Sequence, residues 1–395
     1  MRIAYLTQSY PPMISGAALV VQRQAKGMAK AGHEVVVICA SDEDRSYKLS
    51  SDDVLVIRLR SLRNPLRVKQ RFGIWSPAMI ATHLEAFHPQ IAHFHDPLPL
   101  AGLSATRRLT SPPVNVLTIH QLPWFVSLYI PSLRRPVESV FWEYGTRLTK
   151  SFDEVITPSE TIADMVSVHT KRRPFVISNG IDLEHFNPIP RFEGEGDALR
   201  RKYQLDADLP VILYVGRVDT DKQVDLLVQA VSQTLRSVKA QLLIIGDGRR
   251  LERIIELTKK LGIHHLCHFP GFISPDGDLP GLFRLGSVFC TASVIEIQSS
   301  VVLEAAASGL PIVAFQASSM PELISDGESG YLVPALDIAG MADRIGSLLQ
   351  NPANATAMGL AGLRIAQKHS SANSIKAHIA LFESLVRSSE NGQPA

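Results

Sequence analysis

Apolar residues gather in short, mostly unbroken runs along this chain, at 3–7, 35–39, 54–59 and 114–119. Runs of that length, bounded by turn residues, read as strands covered on both faces, which is the signature of a parallel sheet. Between the first two runs lies a segment with helical spacing that reaches Lys30 and stops at Gly32. Strand, helix and strand in that order predict a βαβ unit. Residues 91–96, Ile-Ala-His-Phe-His-Asp, and 153–158 continue the strand pattern. The alternation restarts at 211–215 and 242–246, and again around 289–313, where a strand end, a turn, a helix and a new strand follow one another. No repeat of solenoid length is present. The expected fold class is α/β, with two doubly wound, Rossmann-like domains facing each other across a cleft.

Punctuation places the boundaries. Asn179-Gly180 is a turn signal, and Pro188-Ile189-Pro190 with the glycine-acidic stretch 193–197 reads as a linker. The expected division is 1–187, 188–370 and a C-terminal segment 371–395 whose helix returns to the first domain. A chain of 395 residues with 45% hydrophobic content can fill two cores. No run approaches 18 apolar residues, and the N-terminus enters a strand without a signal-peptide pattern. Cys39, Cys267 and Cys290 are isolated in apolar surroundings, as buried thiols in a reducing cytoplasm would be.

Charge adds an asymmetry. Residues 1–180 hold 21 Lys and Arg against 14 Asp and Glu, whereas the whole chain carries only +2. Much of the excess lies between Arg58 and Trp75, where Arg58, Arg60, Arg63, Arg67, Lys69 and Arg71 alternate with Leu62, Leu66, Val68, Phe72 and Trp75. Such a run suits either a solvated loop or an anionic membrane surface. Nucleic acid is not expected, since no recognition module accompanies the run. The apolar segment 124–130 reads as a core loop or as a surface for a lipid acceptor.

The candidate chemistry converges on 289–313. Glu296 stands in the turn and Glu304 within the helix, separated by seven residues. Ser299 is the expected N-cap, with Gly309 and Pro311 as stop signals. Backbone N–H groups from Ile297 to Val301 would face an anion such as a diphosphate at the helix start, and Glu304 could accept from a ribose diol. Arg217 and Lys222 bracket another helix start and could neutralise the same diphosphate. Asp219-Thr220-Asp221 between them spells Asp-x-Asp, a spacing that can serve a divalent metal; the family resemblance given below implies a loop there instead. His120 falls at a strand's carboxyl end, where open α/β sheets bind ligands. The fingerprint Gly-x-Gly-x-x-Gly is absent, which disfavours a nicotinamide enzyme.

Glu296 and Glu304, the following Ala-Ser-Gly-Leu-Pro-Ile-Val, Pro11-Pro12 with Gly16, and Gly32-His33-Glu34 together resemble retaining family 4 (group 1) glycosyltransferases of GT-B architecture. The resemblance implies transfer of a hexosyl group, with retention, from a nucleotide diphosphosugar, UDP-linked or GDP-linked, to an acceptor hydroxyl on a glycolipid or envelope glycan. It implies that His120 and Glu296 orient the sugar, and that Arg217 and Lys222 hold the diphosphate beside Gly16 and the backbone of Ser299, Ser300 and Val301. Phe272 and Ile273 would stack the base, and Glu304 would hold the ribose. Neither metal nor cofactor is implied, and the expected location is the cytoplasm, either free or peripheral on the inner face of a membrane. Departures are Ser15 for a first glycine, Gln121 after the histidine, Gln223 for a glycine, and Ile297-Gln298-Ser299 for Gly-Phe-Gly. An inactive nucleotide-sugar binder and a nucleotide-sugar 2-epimerase are the alternative functions.

Overall fold

The protein is described here by a computed structural model covering residues 1–13, 15–63, 71–95, 100–121 and 134–391, with the side chains of 134 and 135 excepted. It divides into two compact units: Met1–Gly180 with Ser371–Ala395, and Ile181–Ser370.

The first unit is built on strands β1 (Arg2–Thr7), β2 (Glu34–Ala40), β3 (Tyr47–Ser51), β4 (Val54–Leu59), β7 (Ile91–Phe94), β8 (Val114–Thr118), β9 (Glu154–Thr157) and β10 (Phe175–Val176), in the spatial order β10-β9-β8-β7-β1-β2-β4-β3. All pairings are parallel except β3 with β4. The antiparallel β3 escapes a reading based on apolar runs, because Tyr47–Ser51 is mostly exposed at the sheet edge. Two further short strands, β5 (Leu62–Arg63) and β6 (Arg71–Phe72), pair as an antiparallel ribbon.

Helix Gly16–Lys30 starts at Ser15, whose side chain accepts from the Ala18 N–H, and buries Val20, Val21, Gln24, Ala25 and Met28 at helical spacing. The last helix, Ser371–Glu390, belongs to this unit: Leu381, Phe382 and Leu385 join Val21, Ala25 and Met28 in one core. Burying a side chain such as Phe382, fully enclosed, stabilises by about 2 kcal/mol.

The second unit carries a six-stranded parallel sheet of β11 (Val211–Val215), β12 (Gln241–Ile245), β13 (Cys267–Gly271), β14 (Val288–Thr291), β15 (Ile312–Phe315) and β16 (Gly330–Val333), ordered β13-β12-β11-β14-β15-β16. Strand direction of winding reverses between β1 and β7 in the first sheet and between β11 and β14 in the second. Each reversal leaves a crevice at the carboxyl ends of the strands, since successive crossovers leave on opposite sides. The α/β architecture with two doubly wound sheets is therefore the one read from the apolar runs.

The linker expectation needs correction. Residues 195–197 are the first turn of helix Glu195–Lys202, and Glu195 is buried there. Arg284 grips it with Nε and Nη2, each 3.0 Å from a carboxylate oxygen, and Arg191 adds a bond of 2.5 Å. These bonds offset the desolvation of a carboxylate that composition alone assigns to a solvated loop. No described helix is long and apolar enough to cross a membrane.

Candidate active site

The crevice of the second sheet begins where β11 ends. Gly216 leaves the strand at φ 153°, and Gly246 leaves β12 at φ 143°. A Cβ on Gly246 would lie 1.8 Å from the Gly216 carbonyl oxygen, so the strand ends can approach this closely only with glycine at 246. Tyr214 donates its hydroxyl to the Arg217 carbonyl at 2.7 Å, fixing the turn that follows. The chain then makes one short 3-10 turn, Thr220–Lys222, and passes through Gln223 at φ 46° into helix Val224–Thr234. Gln223 thus stands in the left-handed conformation that favours glycine.

Lys222 and Glu296 meet in this crevice. Lys222 Nζ lies 2.5 Å from Glu296 Oε1 and 3.8 Å from Asp221 Oδ2, with both members of the close pair largely sheltered. The Glu296 carbonyl accepts from Ser318 at 2.5 Å and Ser319 at 3.1 Å, so the loop after β15 holds the turn that carries it. Arg217 is drawn to Asp221 at 2.6 Å and to Asp219 at 3.4 Å, and Asp219 also meets Arg249 at 3.3 Å. Asp221 is buried, and its Oδ1 has no partner among the described residues. The two cations are therefore not loose surface charges: carboxylates hold both at the mouth of the sheet.

Beyond Glu296, Gln298 and Ser299 are buried and lead into helix Ser300–Ala307. Ser299 occupies the cap position without a side-chain cap bond; its carbonyl accepts from the Leu303 N–H at 3.2 Å. Ser300 and Val301 form the first turn, whose N–H groups lack intrahelical acceptors by construction. Glu304 is buried, not on a solvated face. Phe272, 49% exposed, and the half-buried Ile273 follow the end of edge strand β13, after Gly271 at φ 78°.

His120 and Gly16 belong to the first unit. Gly16 opens its helix with no atom within 4 Å of where a Cβ would sit. His120 follows β8 by two residues and is half-buried; its Nε2 lies 2.8 Å from Nδ1 of His95, which follows β7. The rings stack at 5.1 Å. His93 packs behind, its ring tilted by 50° at 4.1 Å from that of His95, and meets the Thr118 hydroxyl at 2.7 Å. Loss of hydration holds His93 and His95 well below the usual imidazole range and lowers His120 to about 4.

Reading by motif missed Asp221, the Ser318-Ser319 support and the His95 contact. Arg217 and Asp221 are four apart, but loop and one 3-10 turn connect them, so helical spacing does not forecast the pair. The serines carry no local signal, because only the adjacency of β14 and β15 brings them to Glu296.

The basic stretch between Arg58 and Trp75 also changes character. Arg58 is buried at the end of β4, 3.3 Å from Asp42, bonded to the Pro11 carbonyl and lying near the rings of Tyr10 and Tyr47. Arg71 pairs with Asp44 and with Ser61 at 2.7 Å. Both side chains are enclosed, so neither is presented to a membrane surface. Arg60 and Arg63 are exposed, as are Leu62 and Ile74, whereas Arg67, Lys69 and the apolar segment 124–130 lie outside the described residues. Among the described residues no group of three or more His, Cys, Asp or Glu is arranged to hold a metal, and the three cysteines are free and buried.

Comparison with known families decides the assignment. Residues 14–185 match Glycosyltransferase Family 4, and residues 196–364 match Glycosyl transferases group 1. The chain belongs to the family 4, group 1 glycosyltransferases. A GDP-mannose-dependent alpha-mannosyltransferase of Mycobacterium tuberculosis is 29% identical over 85% of this chain and 84% of its own. An alpha-monoglucosyldiacylglycerol synthase of Streptococcus pneumoniae is 26% identical over 84% of this chain and 75% of its own. Among solved structures, a sucrose-phosphate synthase from Thermosynechococcus elongatus superposes with a TM-score of 0.81 at 21% identity, over 98% of this glycosyltransferase and 99% of that chain. The shared fold is the GT-B architecture expected of the family.

Proposed function

We propose that this glycosyltransferase moves a hexosyl group from a UDP- or GDP-linked sugar to an acceptor hydroxyl with retention at the anomeric carbon. The observation that carries the reading is the Lys222–Glu296 pair at the switch point of the second sheet, one turn from the start of the helix that buries Glu304. As the bond from the anomeric carbon to the β-phosphate oxygen breaks, its electrons pass to that oxygen. Lys222, Arg217 and the N–H groups of Ser299, Ser300 and Val301 stabilise the charge that develops there. The sugar gains oxocarbenium character, which the Glu296 carboxylate favours, while His120 and Glu296 orient its hydroxyls. The acceptor oxygen enters on the face the phosphate leaves, and its proton passes to the departing phosphate. Glu304 takes the ribose, Phe272 and Ile273 take the base, and Gly16 leaves room for the diphosphate. No metal or cofactor enters this scheme, since the two cations balance the leaving group. The Mycobacterium relative's name supports a GDP-sugar as one donor to test beside UDP-sugars.

The acceptor in this reading is a glycolipid or envelope glycan, met at the cytoplasmic face of a membrane. The Streptococcus relative, named for a glucosyldiacylglycerol product, supports a lipid acceptor. Arg60 and Arg63, with exposed Leu62 and Ile74 beside them, remain as contacts for an anionic surface. Each engaged cation contributes about 1 kcal/mol, so attachment is reversible and weakens with salt. The test is mass-spectrometric assay of purified protein with UDP- and GDP-sugars and with lipid and soluble glycan acceptors, the product's anomeric configuration being read by NMR. Retained configuration on a lipid or glycan product supports the reading. An inverted product, or hydrolysis without transfer to any acceptor, overturns it.

A further inference from the structure

Four histidines sit together in the first unit. His93 and His95 come from the end of β7, His120 from the end of β8 and His378 from the C-terminal helix. Tyr5 of β1 lies against His93 and His95, at 5.3 and 5.7 Å between ring centroids. His378 has its own fixed partners: Nδ1 meets the Ser374 carbonyl at 2.8 Å, and Nε2 faces Gln24 at 3.5 Å. The groups that bear on His95 electrostatically are His93, His120 and His378, and burial keeps all of them neutral at physiological pH.

Two neutral imidazoles 2.8 Å apart share one proton, so one ring donates and the other accepts. The opposite side of His95 decides which. Its Nε2 is enclosed and has no partner among the described residues. A proton there would leave a buried N–H without an acceptor, the rarer and costlier kind of orphan. The His95 proton therefore belongs on Nδ1, pointing at His120.

We propose that His95 is a positioning residue for sugar transfer: it donates its Nδ1 proton to Nε2 of His120, fixing the His120 proton on Nδ1, the nitrogen left to donate to the transferred sugar. This rests on the assignment of His120 to the sugar given above. A free imidazole interconverts between two tautomers; His95 removes one of them before substrate arrives, as an orienting partner does for a metal-bound or catalytic histidine.

The test uses the intact protein and two kinds of readout. Long-range proton–nitrogen NMR of the ligand-free enzyme, assigned with H120A, should give a pyrrole-type Nδ1 and a pyridine-type Nε2 for His120. In H95L, of similar bulk but without a donor, that signature should fade, with kcat falling about ten- to a hundred-fold and donor KM nearly unchanged. H95N, which restores an N–H near the lost Nδ1, should recover a large part of kcat. A His120 proton found on Nε2 in the wild type overturns the proposal whatever the activity. Equal losses in H95L and H95N, with the His120 tautomer unchanged in both, assign His95 to packing and overturn it as well. If H120A keeps full turnover while the tautomer is as stated, the sugar assignment of His120 falls and the hydrogen-bond direction stands.

Discussion

The two sheets present opposite kinds of surface at equivalent places. At the reversal between β11 and β14 the second unit gathers Arg217, Lys222, Asp219, Asp221 and Glu296 into contacting ion pairs. Near the reversal between β1 and β7 the first unit gathers His93, His95 and His120, all uncharged at physiological pH. The same topology thus makes one mouth lined by ion pairs and another lined by neutral imidazoles. Side chains, not the winding of the sheet, decide what each crevice can bind. In the charged mouth each ion already has a counter-ion, so an arriving phosphate exchanges partners rather than entering an uncompensated field.

The sharpest way to break this contrast is to remove the cation of the charged mouth. Lys222→Ala should lower kcat by about two to three orders of magnitude with the unfolding midpoint little changed. Steady-state assay beside a thermal melt checks it, and near-normal turnover would sink the assignment.

Acid should separate the two units next. His378 is buried and lowered from 6.5 to about 4, so it is neutral when folded and takes a proton when unfolded. Between those values the unfolded chain binds more protons, and stability rises with pH across the window. His378 contributes about 3 kcal/mol above pH 6.5, lost as pH falls toward 4. His268 and His369 of the second unit shift in the same direction but are only partly buried. Hydrogen exchange at pH 5 and 7 should show β7, β8 and the last helix losing protection before β11 and β14. The reverse order would contradict the histidine account.

Much of the charged mouth was legible in the chain, and much of the neutral one was not. Arg217, Lys222, Glu296 and Glu304 stand within motifs whose residue types already state a chemistry, and the apolar runs fix the sheet that carries them. His95 reads only as part of a strand pattern, because its partner is set by the adjacency of β7 and β8 rather than by spacing. Arg58 misled in the other direction: a cation among cations reads as surface until Asp42 and the Pro11 carbonyl, distant in sequence, are seen to enclose it.

Two smaller effects sharpen the contrast further. Glu304→Gln keeps the shape of a buried group but weakens a charge-assisted bond, so affinity for the nucleoside diphosphate should fall by roughly ten-fold in calorimetric titration. Unchanged affinity would remove Glu304 from the ribose. The smallest expected effect is none: a chelator such as EDTA should leave turnover intact if Arg217 and Lys222 balance the leaving group. Loss restored by Mg²⁺ or Mn²⁺ would give Asp219 and Asp221 a metal role instead.

The helix Ser371–Glu390 sets the order in which the protein can be completed on the ribosome. Most of the first unit emerges early, yet the face of Val21, Ala25 and Met28 waits for Leu381, Phe382 and Leu385. Translation at about 5–20 residues per second puts roughly 10–40 s of second-unit synthesis between the two. The second unit, contiguous from Ile181 to Ser370, has all its residues before the first has its last helix. The N-terminal half of the message is thus finished last as a folded object, and a nascent chain halted before Leu381 displays an apolar seam to chaperones and proteases.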